Sequence, residues 1–179
     1  MIYAIFDTET TGLILPSQMP LERQPRIIEF AGVHLDSVTW EITREFTKLY
    51  DPCVPLSQKI TKITGLRDSD LVGQSLFYCD DVVDFFSGAD RAVAHNFSFD
   101  LGMLEIEFKI ARRKIIIPAL EHPLCTVEKT EHLTGSRLTL GKLHAYLFGD
   151  DFKGAHRALV DVKALAKIVQ ALTEKGIFP

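Results

Sequence analysis

Cysteine is scarce in this chain. Three residues in 179, Cys53, Cys79 and Cys125, are odd in number and far apart. That count excludes a disulfide framework or a four-cysteine zinc site and fits a reducing cytoplasm. No apolar run approaches the ~18–20 residues of a membrane helix. The opening residues, MIYAIFD, have neither a basic flank nor a signal-peptide core, so no membrane association or export is expected. Positive charge is not in excess either: 20 Lys and Arg against 24 Asp and Glu give a net charge of −4. A protein that holds nucleic acid chiefly through a large basic surface is thereby disfavoured. An enzyme that carries its positive charge as bound metal ions is not. Internal repeats, low-complexity tracts and charge blocks are also missing.

What is present suits one globular domain. The composition is 46% hydrophobic and 25% charged. A chain of this length buries roughly 70% of its unfolded surface. No linker interrupts it, so a single domain spanning 1–179 is expected.

Residues 2–6 (IYAIF) are apolar up to an acid and read as a buried strand. Residues 12–26, with Gly12, Pro16, Pro20 and Pro25, read as a loop; 27–35 and 41–50 read as further strands. Helices are expected at 56–64, 78–87, 99–113, 126–133, 139–148 and 157–175, with short strands at 91–94 and 115–117. Strands first and helices dominant behind indicate an α/β domain.

Three stretches carry acids in suggestive settings. In FDTETTGL (6–13), Asp7 and Glu9 are two apart at a strand end and so share one face of the sheet. Two carboxylates forced together repel, and a hard divalent cation relieves the conflict. Taken alone, an Asp-x-Glu is more often a pair of solvated acids. In AHNFSFD (94–100), Asn96 and Asp100 lie at a strand-to-helix junction, where such residues also serve as helix caps. In AHRALVD (155–161), His156 and Asp161 are five apart, about 140° round an ideal helix. They can serve one site only if His156 precedes the helix and Asp161 projects inward.

The ordered set Asp7, Glu9, Asp100, His156 and Asp161 resembles the DEDDh family of 3′–5′ exonucleases, the group that includes the proofreading subunit of bacterial replicative polymerase. TKITGL (61–66) is similar to the family's Ile-Thr-Gly segment, and LTLGKLHAYLFG (138–149) to the helix before the histidine. The loop at 14–25 is longer and richer in proline than the family pattern, and the sequence stops just past the last helix, so tethering to a polymerase through a long tail is not expected.

The resemblance implies a ribonuclease H-like fold: a mixed central sheet of about five strands flanked by helices. It implies two Mg²⁺ or Mn²⁺ ions, Asp7 bridging them, Glu9 and Asp161 completing the site, and Asp100 acting at the second ion partly through water. His156 would be the general base. The substrate would be nucleic acid with a single-stranded or frayed 3′ end, lined by Thr10, Thr11, Gly12, Leu13, Ile63, Thr64, Leu66 and Asn96. Phe97 or Phe99 would stack a base, although at least one of the two is expected in the core. Lys59, Lys62 and Arg67, or Arg112, Arg113 and Lys114, are the basic groups considered for phosphate contact.

DNA is the leading substrate, in a proofreading or repair role that would admit a DNA polymerase partner. An RNA exonuclease of the same fold and a non-catalytic nucleic-acid-binding module are the alternatives. The four acids and the histidine weigh against the last.

Overall fold

The structure is a computed structural model describing residues 1–150, 152–154 and 156–179. Ala155, which opens the third motif, and Asp151 lie outside the described residues. The sheet is built from β1 (Ile2–Thr10), β2 (Ile27–Asp36), β3 (Ile42–Leu49), β4 (Arg91–Ala94) and β5 (Pro123–Cys125), in the spatial order β3-β2-β1-β4-β5. The first three strands form an antiparallel meander, while β4 and β5 add in parallel, giving a mixed sheet. The helices are α1 (Gln58–Thr64), α2 (Asp68–Leu71), α3 (Cys79–Phe86), α4 (Phe97–Ile110), α5 (Thr126–Thr134), α6 (Leu140–Phe148) and α7 (Ala158–Glu174). Among the described residues no helix is long and apolar enough to cross a membrane.

Strand alternation divides the core in two. Ala4 and Phe6 of β1 pack with Phe30, Phe85, Phe86, Phe97 and Met103 under α3 and α4. Tyr3 and Ile5 face the opposite way, against Leu143, Val162, Leu165 and Val169 of α6 and α7. The aromatic side is tight: a Cβ at Gly32 would stand 2.2 Å from the Phe85 ring, so only glycine lets that ring lie on β2.

The strand expected at 115–117 does not form. Ile116 is exposed while Ile117 turns inward, and Pro118 opens a 3₁₀ turn over Pro118–Glu121. The fifth strand lies later, at Pro123–Cys125, where proline occupies the first position and its missing N–H costs no ladder bond. Helix α2 was not foreseen, because four residues are too few for a periodic signal. The long loop after β1 carries a 3₁₀ turn at Leu21–Arg23 and lies along α4, with the Ile14 methyl pressed against Gly102.

β1 outruns its parallel neighbour. Tyr3–Ile5 pair with β4, whereas pairing to β2 continues to Thr10. One edge of β1 is therefore open from Phe6 onward, at the point where the sheet changes from antiparallel to parallel. Such ends of parallel strands are where α/β sheets place ligands.

Candidate active site

Asp7 and Glu9 continue the parity of Tyr3 and Ile5, so they project toward the side of the sheet covered by α7. Both are half-buried. Helix α4 starts just beyond the end of β4 and delivers Asp100 in its first turn, 2% exposed. Asp100 Oδ1 accepts from the Thr8 hydroxyl at 2.7 Å and from the Thr8 amide at 3.1 Å. Those bonds tie the first motif to the second across the open edge.

The third motif arrives on α7. His156 precedes the helix in a left-handed backbone conformation (φ 69°), and its amide donates to Asp161 Oδ2 at 3.0 Å. The imidazole is thus on the approach to the helix and the carboxylate within its first turn, the arrangement that the five-residue spacing requires. One ligand atom each from Glu9, His156 and Asp161 lie within 4.8 Å of one another. Asp7, Asp100 and the same three residues line one cavity of about 440 Å³.

The charge chemistry of this cluster is unusual. Burial, then the negative charges of Asp100, Glu9 and Asp161, hold the Asp7 carboxyl well above the ordinary carboxylate range. Burial, with Asp161, Glu29 and Asp100 beside it, pushes Glu9 up to about 8. Burial raises Asp100 to about 7 against the lowering effect of the Thr8 hydrogen bonds. Among the described residues no lysine or arginine forms an ion pair with Asp7, Glu9 or Asp100. Oxygen donors crowded beyond what they tolerate as anions are the donor set that hard divalent cations prefer, so these residues fit such ions.

The remaining residues picked from sequence are more scattered. Leu13 is 76% exposed and Ile63 is 40% exposed. Thr10 is buried with its hydroxyl on the Gly12 carbonyl, and the Thr11 hydroxyl accepts from the Arg26 amide, so both threonines shape the turn after β1. Thr64 and Leu66 are buried, Leu66 against Ile28 and Leu71, and neither presents a side chain on a surface. Phe97 sits in the core, edge-on to Phe6 at 5.6 Å; Phe99, not Phe97, lines the acidic cavity. Asn96 lines it too, but makes no capping bond, and its Oδ1 accepts from Arg137 at 3.3 Å. Lys59, Lys62, Arg67, Arg112, Arg113 and Lys114 do not line the cavity, and Arg113 pairs with Asp80 at 2.6 Å.

Sequence reasoning missed four residues. Glu29 of β2, 2% exposed, accepts from Arg157 Nε and Nη2 at 3.2 and 3.3 Å and from the Ala158 amide at 3.4 Å, clamping the start of α7 to the sheet. An acid inside the apolar run IIEFAGV was the available signal. His95 lies between the Thr126 hydroxyl (2.8 Å) and the Leu138 carbonyl (3.0 Å). Since a carbonyl only accepts, Nε2 donates and Nδ1 accepts. Burial, aided by Arg137, pushes its pKa down to about 4, so the ring is a neutral strut between β4, α5 and the loop before α6. Arg137 itself, on that loop, had no signal in its own neighbourhood.

Comparison with known proteins gives the family and the fold. The family model for exonucleases (RNase T) matches residues 4–169. The chain is 31% identical over 193 residues to DNA polymerase III PolC-type of Bacillus subtilis (strain 168), covering 98% of this chain and 12% of the relative. It is 32% identical over 182 residues to the same-named protein of Oceanobacillus iheyensis, again covering 98% of this chain and 12% of the relative. The chain thus spans about an eighth of the length of these curated relatives.

Among solved structures, the nuclease domain of 3′hExo, a DEDDh family member bound to rAMP, superposes with a TM-score of 0.80 at 21% identity, covering 98% of this chain and 93% of that one. Exonuclease X in complex with 5′ overhanging duplex DNA superposes at 0.67 with 24% identity, covering 97% and 93%. With the family model matched over residues 4–169, this chain belongs to the exonuclease (RNase T) family, and a DEDDh member shares its fold.

Proposed function

We propose that this chain is a metal-dependent 3′–5′ exonuclease that hydrolyses DNA from its 3′ end and releases nucleoside 5′-monophosphates. The observation that carries the reading is the convergence of Asp7, Glu9, Asp100, His156 and Asp161 on one cavity at the open end of β1. Two Mg²⁺ or Mn²⁺ ions bound by the carboxylates would supply charge to the attacking and leaving oxygens of an in-line displacement. Asp7 and Glu9 hold their oxygens on one face of β1, Asp161 closes from α7, and Asp100 reaches in from α4. His156, exposed and beside Glu9 and Asp161, takes the proton of the attacking water. The Gly12–Leu13 turn, with Leu13 projecting, receives the terminal nucleoside, and Phe99 offers a stacking face.

The PolC-type relatives support DNA as substrate, a polymerase as partner and the cytoplasm as location. A further structural neighbour, a 3′-exonuclease described in 3′-end specific recognition of a histone mRNA stem-loop (TM-score 0.79, 21% identity), supports the second reading, RNA digested by the same residues. One assay decides: 5′-labelled DNA and RNA strands of one sequence, with a free or phosphate-blocked 3′ end, with Mg²⁺, Mn²⁺ or chelator. The expected result is metal-dependent shortening of DNA, strongly slowed by the block. Equal loss of blocked and free strands, or dominant internal cuts, overturns the direction; faster loss of RNA transfers the reading to RNA.

A further inference from the structure

Among the described residues, Arg137 is the lysine or arginine that lines the acidic cavity. It lies on the loop between α5 and α6, across from α4, where one guanidinium nitrogen donates to Asn96 Oδ1 at 3.3 Å. Another stands 3.6 Å from the Glu131 carboxylate, both side chains about half exposed. These are long, solvated contacts of the kind worth little on their own. A guanidinium has five donors in one plane, so several face a second partner without loss of the first. Arg157, the other arginine near the acids, is held on the buried Glu29 through two of its three guanidinium nitrogens, Nε and Nη2.

The position of Arg137 selects which phosphate it meets. The scissile phosphate belongs with Asp7 and Glu9, and neither accepts from Arg137 in the described hydrogen bonds. The terminal nucleoside is assigned to the Gly12–Leu13 turn, which lines a separate depression with Arg26 and Val54 and does not include Arg137. A strand whose last nucleoside occupies that side and whose scissile linkage lies over the acids must leave past Asn96 and Phe99, toward Arg137. We infer that Arg137 holds the second internucleotide phosphate from the 3′ end, and so makes this site prefer a polynucleotide over a single phosphodiester. This rests on the nuclease reading above. The anion to be bound is a backbone phosphate, which bidentate arginine geometry suits and which displaces the Glu131 carboxylate. The cavity otherwise repels a polyanion, so one placed cation has leverage here that it lacks on an open surface.

The test is a cycle between protein and substrate. Oligonucleotides of the kind the parent digests are made with one neutral methylphosphonate, at the second or at the fourth linkage from the 3′ end, and KM is measured for the parent, Arg137→Gln and Arg137→Lys. The parent is expected to lose about tenfold at the second linkage, the size of one charge-assisted hydrogen bond. Arg137→Gln should lose less than about twofold there, Arg137→Lys should keep most of the penalty, and the fourth linkage should not distinguish the three proteins. Each factor is a ratio within one protein, so a partly folded variant leaves it intact. Where turnover is too slow, the same ratio is read from fluorescence anisotropy of the labelled strand with Ca²⁺. If parent and Arg137→Gln respond alike to the second-linkage substitution, Arg137 only supports Asn96 and the inference is overturned. If the parent digests no strand at all, the nuclease reading falls instead.

Discussion

Glu9 and Glu29 face one another as partners across β1 and β2, two acids directly opposed, of which Glu9 lines the cavity. Like charges opposed in this way destabilise a sheet. Arg157 resolves the conflict on one side by taking Glu29 through two nitrogens. Glu9 stays without such a partner and holds its proton up to about 8. The pairing both secures α7 to the sheet and leaves Glu9 available to a cation.

The clamp predicts an asymmetry between its two ends. Arg157→Ala leaves the Glu29 carboxylate buried and unpaired opposite Glu9, whereas Glu29→Gln leaves an arginine that reaches water. Truncating one side of a fully buried pair costs about 3–5 kcal/mol. Because the Arg157 side chain is 49% exposed, about 2 kcal/mol is expected for Arg157→Ala. Glu29→Gln, which keeps an oxygen for the Ala158 amide, should cost about 1 kcal/mol or less. Urea midpoints at unchanged m-value check the order, and equal costs would contradict it.

Asp7 should trade stability for activity. Asp7→Asn removes a charge that Asp100, Glu9 and Asp161 all oppose. Without metal, the variant is expected to melt above the parent at pH 8. Nucleotide release should fall by about 10³-fold or more, since metal-borne charge stabilisation is worth several kcal/mol. Calorimetric melting and single-turnover digestion at saturating Mg²⁺ give the two readouts; near-normal turnover sinks the assignment.

Acid crowding also sets a pH dependence for the metal-free protein. Glu9 rises from its ordinary 4.5 to about 8 and Asp100 from 3.8 to about 7, so between those limits the folded chain binds more protons than the unfolded one. Stability then falls as pH rises. The contribution is full below the unfolded values and is lost as pH passes the folded ones. Melting temperature in chelator should therefore drop between pH 5 and pH 8, and Mg²⁺ should reverse the drop by binding the ionised set. A melting temperature that stays level or rises over that range without metal would show that the acids are not in conflict.

His156 can be removed without disturbing its backbone. Its φ of 69° is a conformation that glycine adopts freely. His156→Gly should keep the Asp161-bound amide and hold stability within about 1 kcal/mol of the parent. General-base catalysis is worth about 10²–10⁴-fold, and turnover should drop by that amount. Divalent-ion binding by titration calorimetry should stay close to parental, with added imidazole restoring part of the rate. Loss of ion binding in the variant would make the histidine a ligand rather than a base.

Legibility varied along the chain for physical reasons. β1, β2, β3 and the long helix α7 could be read because each is an apolar run or a sustained period bounded by loop residues. The triplet Ile115–Ile117 misled, since an apolar triplet before a proline looks alike whether it pairs or only tucks one side chain inward. Phe97 and Phe99 could not be told apart either, because the start of α4 decides which ring enters the core.

Composition and motif order alone determined the chemistry on offer: acids two apart at a strand end, a third at a helix start, and a histidine five residues before a fourth. Those are local facts, and local spacing suffices to state them. Which groups share the site was decided only by tertiary structure. β4 stops short of the end of β1 and opens its edge, Thr8 captures Asp100 from a helix 92 positions away, and Glu29 anchors Arg157 from 128 positions away. Arg137 reaches the cavity because α5 and α6 pack where they do. Contacts of that range depend on how the sheet twists and the helices dock, and no window of neighbouring residues contains them.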